Sequence, residues 1–254
     1  MKNTNNQLSQ FFAENPRVAL AFSGGVDSAY LLYAAIHFGA QVRAYYVKSA
    51  FQPQFELDDA HRLAKELGAD MRILELDVLS NPTIAANSAD RCYHCKTMIF
   101  SSIIRAARED GFTVLMDGTN ASDDAGDRPG MRALRELKVR SPLRECGLTK
   151  AEIRALSKEA GLFTWNKPAY ACLATRIPTG EVITSASLQR TEAAEDFLHG
   201  LGFSDFRVRL FHGGARLQMP ENHLPLLMEK RQEILNELKK HYGSVLLDLE
   251  VRNE

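Results

Sequence analysis

Long apolar runs are missing from this chain of 254 residues, which excludes the roughly 18 to 20 unbroken apolar residues of a membrane-crossing helix. A surplus of one charge is missing too: 31 lysines and arginines face 32 aspartates and glutamates, a formal net charge of −1. Proteins that grip a nucleic-acid backbone carry a basic excess or a basic face. Nucleic acid is therefore not expected as a partner, and mixed runs such as EIRALSKEA and MEKRQEILNELKK read as solvated helix faces. Cysteine is scarce, with Cys92, Cys95, Cys146 and Cys172 only. In a chain of this size such thiols are expected to be metal-binding, catalytic or incidental rather than a disulfide framework. The opening MKNTNNQLSQ is polar, which predicts no secretory leader and a cytoplasmic protein. Neither G-x-x-x-x-G-K-[ST] nor G-x-G-x-x-G occurs, which excludes a Walker-type NTPase and a dinucleotide fingerprint. Internal repeats and low-complexity tracts are absent as well.

What is present is an ordinary globular composition, 45% hydrophobic and 25% charged, long enough for one large domain or two moderate ones. Strand-like RVALAF, QVRAYYV, MRILELDV and FTVLMDGT alternate with helix-like AYLLYAAIHFG, FELDDAHRLAKELG and KTMIFSSIIRAAREDG. That order predicts an α/β fold, a parallel sheet with helices on both faces, occupying residues 1–176. The stretch NASDDAGDRPGMRALRELKVRSPL reads as a long functional loop. LTKAEIRALSKEAGL reads as a helix with Thr149 and Glu152 in a capping box. The irregular FTWNKPAYACLATRIPTGEVIT reads as a hinge. Residues 184–254 then predict a small α+β domain: a helix, a hairpin of FRVRLF and ARLQM around HGG, a long helix LPLLMEKRQEILNELKKHYG and a last strand.

The densest cluster of chemistry is SGGVDS, with Ser23, Gly24, Gly25, Asp27 and Ser28 between the first strand and the first helix of the alternation. Two glycines let the backbone turn sharply and leave its N–H groups uncovered, and the helix N-terminus behind them favours a phosphate or pyrophosphate. A plain serine cap is the bland alternative. Asp117 to Asn120 end a later strand, which places Gly118 and Thr119 where a nucleotide would lie. Cys92 and Cys95 form a C-x-x-C just before a helix, a spacing that chelates zinc or two corners of an iron–sulfur cluster but needs a third ligand. Cys172 is the candidate, in a loop with Arg176 four residues on, where a thiolate would gain from a cation. The alternative for Cys172 is a buried small hydrophobe. Cys146 reads as incidental, and His94 as an exposed loop residue.

SGGVDS resembles the PP-loop of the ATP pyrophosphatase superfamily, whose members split ATP between the α and β phosphates and activate an oxygen as its AMP derivative. The resemblance implies ATP and Mg²⁺, with Asp27 helping to hold the metal. SGGVDS, RCYHCK, DGTNASDDAGDRPG, SPLRECGLTKAEIRALSKEAGL, WNKPAYACLATRIPTG and LGFSDFRVRLFHGGARLQM, in this order, resemble the LarE family along nearly the whole chain. That family comprises ATP-dependent sulfur transferases of nickel-pincer nucleotide biosynthesis. It implies adenylation of a pyridinium biscarboxylate mononucleotide, a small-molecule nucleotide substrate, and replacement of the AMP by sulfur to leave a thiocarboxylate. One kind of member sacrifices the sulfur of a single cysteine. The other holds a labile [4Fe–4S] cluster on three cysteines and takes up sulfide or another sulfur donor; Cys92, Cys95 and Cys172 match that kind. The resemblance further implies that Arg176 and Arg207 line the substrate's phosphate or carboxylate and that Trp165 lies nearby; a homo-oligomer is compatible with it. A metal site of the single-cysteine kind uses acidic groups of the C-terminal domain. Here Glu195 keeps one such position while Gln218 and Leu226 stand at others, so that site is not carried over. The rivals are a tRNA thiolase of the same superfamily and a non-catalytic nucleotide-binding or iron–sulfur scaffold.

Overall fold

The computed structural model describes residues 2–123 and 129–250. Strands β1 (Arg17–Ala21), β2 (Gln41–Lys48), β3 (Asp70–Glu75) and β4 (Val114–Met116) form one sheet in the order β3-β2-β1-β4, and every pairing in it is parallel. Successive strand residues point to opposite faces, and each face here has its own core. Val18, Leu20, Ala44, Tyr46 and Met116 join Leu8, Phe11 and Phe12 of the helix Lys2–Glu14 and Leu31 of the helix Val26–His37. Ala19, Tyr45, Val47 and Leu115 meet Phe100, Ile103 and Ala106 of the helix Arg91–Glu109. This is the parallel α/β fold with helices on both faces that the strand–helix alternation predicts. Each fully buried leucine or phenylalanine contributes about 1.5–3 kcal/mol, so the two faces hold the sheet between them. The order places β2 on one side of β1 and β4 on the other, which makes the crevice at the carboxyl ends of β1 and β4 a topological switch point.

Chain contacts define two units. The first comprises Met1–Ser49, Gln54–Leu76 and Asp90–Lys167; the second comprises Ala50–Pro53, Asp77–Ala89 and Pro168–Glu254. In the second, β5 (Arg207–Phe211) and β6 (Gly214–Gln218) pair antiparallel, and β6 pairs parallel with β7 (Val245–Leu247). Between β5 and β6 the turn residues His212 and Gly213 both have positive φ, 48° and 75°, as a two-residue hairpin with the twist of its strands requires. Ala194 and Leu198 of the helix Ser185–Gly200 pack with Val208, Ala215 and Leu217 in this unit's core.

Three local readings are corrected. The C-terminal helix is two, Leu224–Glu229 and Arg231–Leu238, separated at Lys230 with ψ 5°; Leu227, Ile234 and Leu238 of the two pieces share one core. The stretch read as a long loop is partly helical, at Pro129–Glu136 and Pro142–Glu145, because Ala133 and Leu134 bury against the sheet unit while a proline opens the second turn; its residues 124–128 lie outside the described residues. The helix after the C-x-x-C begins at Arg91 and includes both cysteines. Among the described residues, no helix is long and apolar enough to cross a membrane.

Candidate nucleotide and sulfur sites

In the first unit, the chain leaves β1 at Ala21 and enters the helix Val26–His37 through Ser23, Gly24 and Gly25. Gly25 is the N-cap and no side chain caps this helix, so the plain-cap reading of Ser23 and Ser28 does not hold. The serines bind each other instead, Oγ to Oγ at 3.0 Å, and Ser28 Oγ donates to Gly25 O at 3.2 Å. Gly24 has φ +72° and lies against the Glu56 carbonyl, where a Cβ would stand 3.3 Å away. Gly118, directly after β4, is pressed harder: a Cβ there would stand 2.9 Å from Ser28 N. The loop after β4 therefore meets the first turn of the helix Val26–His37 backbone to backbone, at the positive end of the helix dipole.

Asp27 sits in the first turn of that helix, half-buried rather than on an exposed loop. Lys150 Nζ lies 2.6 Å from its Oδ2, and Asn120 Nδ2 donates to Oδ1 at 3.4 Å. Burial pushes the Asp27 carboxyl up, and the Lys150 hydrogen bond and charge work against that rise. Lys150 is placed as the first residue of the helix Lys150–Glu159, whose capping box of Thr149 and Glu152 is formed in both directions. Its amide donates to Ser122 Oγ at 3.0 Å. Asp117 accepts from Thr119 Oγ1 at 2.6 Å and Ser141 Oγ at 2.7 Å, which stiffens the loop bearing Gly118. One carboxylate beside a phosphate cradle is the usual protein share of a Mg²⁺ site, and Asp27 fits it. Sequence reasoning missed Lys150, and it marked the strand end at Asn120 without the contact of Asn120 to Asp27; nothing local reveals a lysine 123 residues from its carboxylate.

Cys92 is exposed and Cys95 half-buried, three apart at the start of the helix Arg91–Glu109 and so on one face of it. The buried Arg91 sends Nη2 to 3.4 Å from Cys92 Sγ. His94 is half-buried in the same helix, edge-on to Tyr93, and not in a loop. The two thiols fit as a pair of cluster ligands; Cys172 belongs to the second unit. Among the described residues, no three His, Cys, Asp or Glu side chains are grouped to hold a metal ion. Cys146 is buried in the first unit's core, and burial pushes its thiol up. Trp165 lies in the first unit with Lys158 Nζ 4.6 Å from its ring centre.

In the second unit, Cys172 is half-buried and directly precedes the short helical turn Leu173–Arg176. Arg176 is enclosed, its side chain 0% exposed and that of Glu195 2%. Arg176 Nε donates to Glu195 Oε1 at 2.8 Å and Nη2 to Oε2 at 3.1 Å, while Nη1 donates to Ala171 O at 2.9 Å and Thr175 Oγ1 at 2.8 Å. Burial opposes the charge on Arg176, and Glu195 more than offsets it. Tyr170 OH donates to Glu195 Oε2 at 2.5 Å, and Val208 N donates to Oε1 at 2.9 Å. Arg207 is buried in β5, not exposed; it donates to the Ala169 carbonyl and lies 5.1 Å from the Tyr170 ring centre. Glu195 is thus committed to Arg176, Tyr170 and Val208.

Residues 17–98 match the family model for queuosine biosynthesis protein QueC, a span that runs from β1 through the Ser23–Ser28 loop to the C-x-x-C. An uncharacterized protein of Synechocystis sp. is 37% identical over 85% of this chain and 81% of its own length. A pyridinium-3,5-bisthiocarboxylic acid mononucleotide synthase of Lactiplantibacillus plantarum is 37% identical over 81% of this chain and 75% of its own length. A tRNA-specific 2-thiouridylase of Clostridium botulinum is 25% identical over 59% of this chain and 52% of its own.

Proposed function

Since this chain belongs to the LarE family, that of the Lactiplantibacillus plantarum pyridinium-3,5-bisthiocarboxylic acid mononucleotide synthase, we propose that it is an ATP-dependent sulfur transferase acting on a pyridinium biscarboxylate mononucleotide. In this reading a substrate carboxylate oxygen attacks the α-phosphorus of ATP. The α–β bridge breaks, pyrophosphate leaves and an acyl-adenylate forms. A sulfur nucleophile then adds to the acyl carbon, AMP departs with the former carboxylate oxygen, and a thiocarboxylate remains. The observation that carries the first half is the Gly25-capped, side-chain-free helix N-terminus beside Gly118, with Ser23 and Ser28 facing it. Its backbone N–H groups and hydroxyls hold the departing pyrophosphate. Gly118 and Thr119 approach the nucleotide from the other side of the switch point, and Asp27 holds Mg²⁺. Lys150 Nζ lies 2.6 Å from Asp27 Oδ2.

For the second half, Cys92, Cys95 and Cys172 would hold a [4Fe–4S] cluster, which supplies sulfur at the oxidation level of sulfide. Arg91 Nη2 stands 3.4 Å from the sulfur of Cys92. The near-neutral charge and the partial match to thiouridylases make a tRNA acceptor the weaker reading. The protein with Mg·ATP and the biscarboxylate mononucleotide is expected to release pyrophosphate and AMP. Asp27→Ala is expected to lower that rate about 100- to 1,000-fold, with its thermal midpoint close to wild type. Formation of ADP, or an unchanged rate in the variant, overturns the reading.

A further inference from the structure

The helices Val26–His37 and Lys150–Glu159 both begin at the nucleotide side of the first unit, with Asp27 in the first turn of one and Lys150 opening the other. They also end together. A cavity of about 330 Å³ lies toward their far ends, walled by Tyr30, Tyr33, His37 and Phe38 on one side and by Leu156 and Glu159 on the other. That size is at the small end of ligand pockets, roughly 300–1,000 Å³. Its last-turn walls, His37 and Glu159, stand about 14–15 Å along the helices from Asp27 and Lys150. No wall belongs to the Ser23–Ser28 loop or to the loop of Gly118.

Tyr30, Tyr33 and His37 recur at helical spacing on one face, and their rings form a continuous run. Tyr33 lies 6.2 Å from Tyr30 and is stacked on His37 at 5.5 Å, and His37 meets Phe38 edge-on at 5.1 Å. A stripe of this kind ordinarily faces a core, yet here Tyr33 is half-buried and His37 exposed. The rest of the lining is negative. Phe38 and Ala160 are the C-caps of the two helices, so both negative dipole ends lie at the cavity. The Glu159 carboxylate stands beside them, without an ion-pair partner among the described residues. Burial first, then Tyr33 and Glu159, push the Tyr30 hydroxyl up to about 12, so the carboxylate is felt among the rings. Ring faces, helix C-termini and a carboxylate all attract a cation. A hard metal ion asks for several oxygen ligands, which ring faces and Leu156 do not offer, whereas an alkylated ammonium ion packs against both. We propose that this cavity binds a small organic ammonium ion, apart from the ATP site, with the alkyl groups against Tyr30 and Tyr33 and the charge balanced by Glu159.

Choline serves as the probe, titrated into the full chain in an amine-free buffer without ATP and followed by ligand-observed NMR. Saturable binding in the millimolar range is expected. Dimethylbutanol, the uncharged carbon isostere of choline, should bind at least about tenfold more weakly. Glu159→Gln, at an exposed position, should weaken choline binding about threefold to fivefold. Tyr33→Leu should weaken it about tenfold, with the circular dichroism of both variants unchanged. If Tyr33→Leu fails to fold, Glu159→Gln and the isostere decide. An isostere that binds as well as choline, a titration with no saturation by about 10 mM choline, or affinity equal to wild type in the folded variants overturns the proposal. No step uses ATP or a sulfur acceptor, so the result stands whatever the outcome for the proposed function.

Discussion

Two clusters in this chain use the same side chains, one carboxylate, one tyrosine and two arginines, to different ends. In the first unit Asp110 accepts from Tyr45 OH at 2.7 Å and pairs with Arg43 and Arg72 at 3.0 Å each, and both arginines are 30% or more exposed. These arginines spend their remaining bonds mostly on other acids, Arg43 on Asp70 and Arg72 on Glu109. In the second unit Glu195 binds Tyr170 and Arg176 out of reach of water, and the arginines there spend their other donors on the carbonyls of one loop. The exposed cluster ties strand β2 to its neighbour β3 and to the end of the helix Arg91–Glu109. The buried one shapes a segment with no regular structure of its own. Identical chemistry thus becomes a surface strut in one place and a mould in the other, and burial is what separates the two.

The contrast breaks most sharply at the carboxylates. Glu195→Ala strands the Arg176 charge, and unfolding by urea should register a loss of about 3–5 kcal/mol. Asp110→Ala, whose arginines keep water and other acids, should lose a small part of that; equal losses would erase the distinction. Next come the tyrosines. Tyr170→Phe removes a donor to a buried carboxylate and should cost about 1.5–3 kcal/mol in the same measurement, more than Tyr45→Phe. The smallest effect is a pH dependence on the exposed side. The Asp110 carboxyl is held down to about 2, first by the Tyr45 hydroxyl and then by Arg72 and Arg43. Its folded value lies below the ordinary carboxylate value of about 3.9, so its stabilising contribution is complete above that pH and drains away as pH falls through 2. Thermal midpoints of wild type and Asp110→Asn should differ at neutral pH and converge toward pH 2; a constant gap would remove Asp110 from the account.

What the residues themselves announce follows the range over which their causes act. Val18–Phe22 followed by SGGVDS announces a strand, a tight turn and a helix, because alternation, glycine and periodicity are local. The Thr149–Glu152 capping box and the His212–Gly213 hairpin turn are local in the same sense. The helix Lys2–Glu14 is missing from the sequence reading; its apolar residues Leu8, Phe11 and Phe12 stand at helical spacing but follow a polar opening. Other features depend on folding. Lys150 reaches Asp27 only once β1 and β4 lie side by side, and Arg176 reads as a substrate-facing cation until Glu195, 19 residues later, is seen to enclose it. Glu195 itself carries no local mark of that task.

The composition of the second unit from separated stretches has a consequence for synthesis. Asn87 Nδ2 donates to the carbonyls of Ile177 and Pro178, and Ile183 N donates to Ala85 O. Asn87 therefore waits for a partner made 91 residues later, several seconds at ribosomal rates of about 5–20 residues per second. During that interval residues 77–89 hang between strands β3 and β4 with no unit to join, while the sheet around β1 can already close. A message truncated before codon 177 would yield a chain whose nucleotide-side core can assemble but whose residues 77–89 stay unpartnered, a natural handle for the proteases that clear incomplete products.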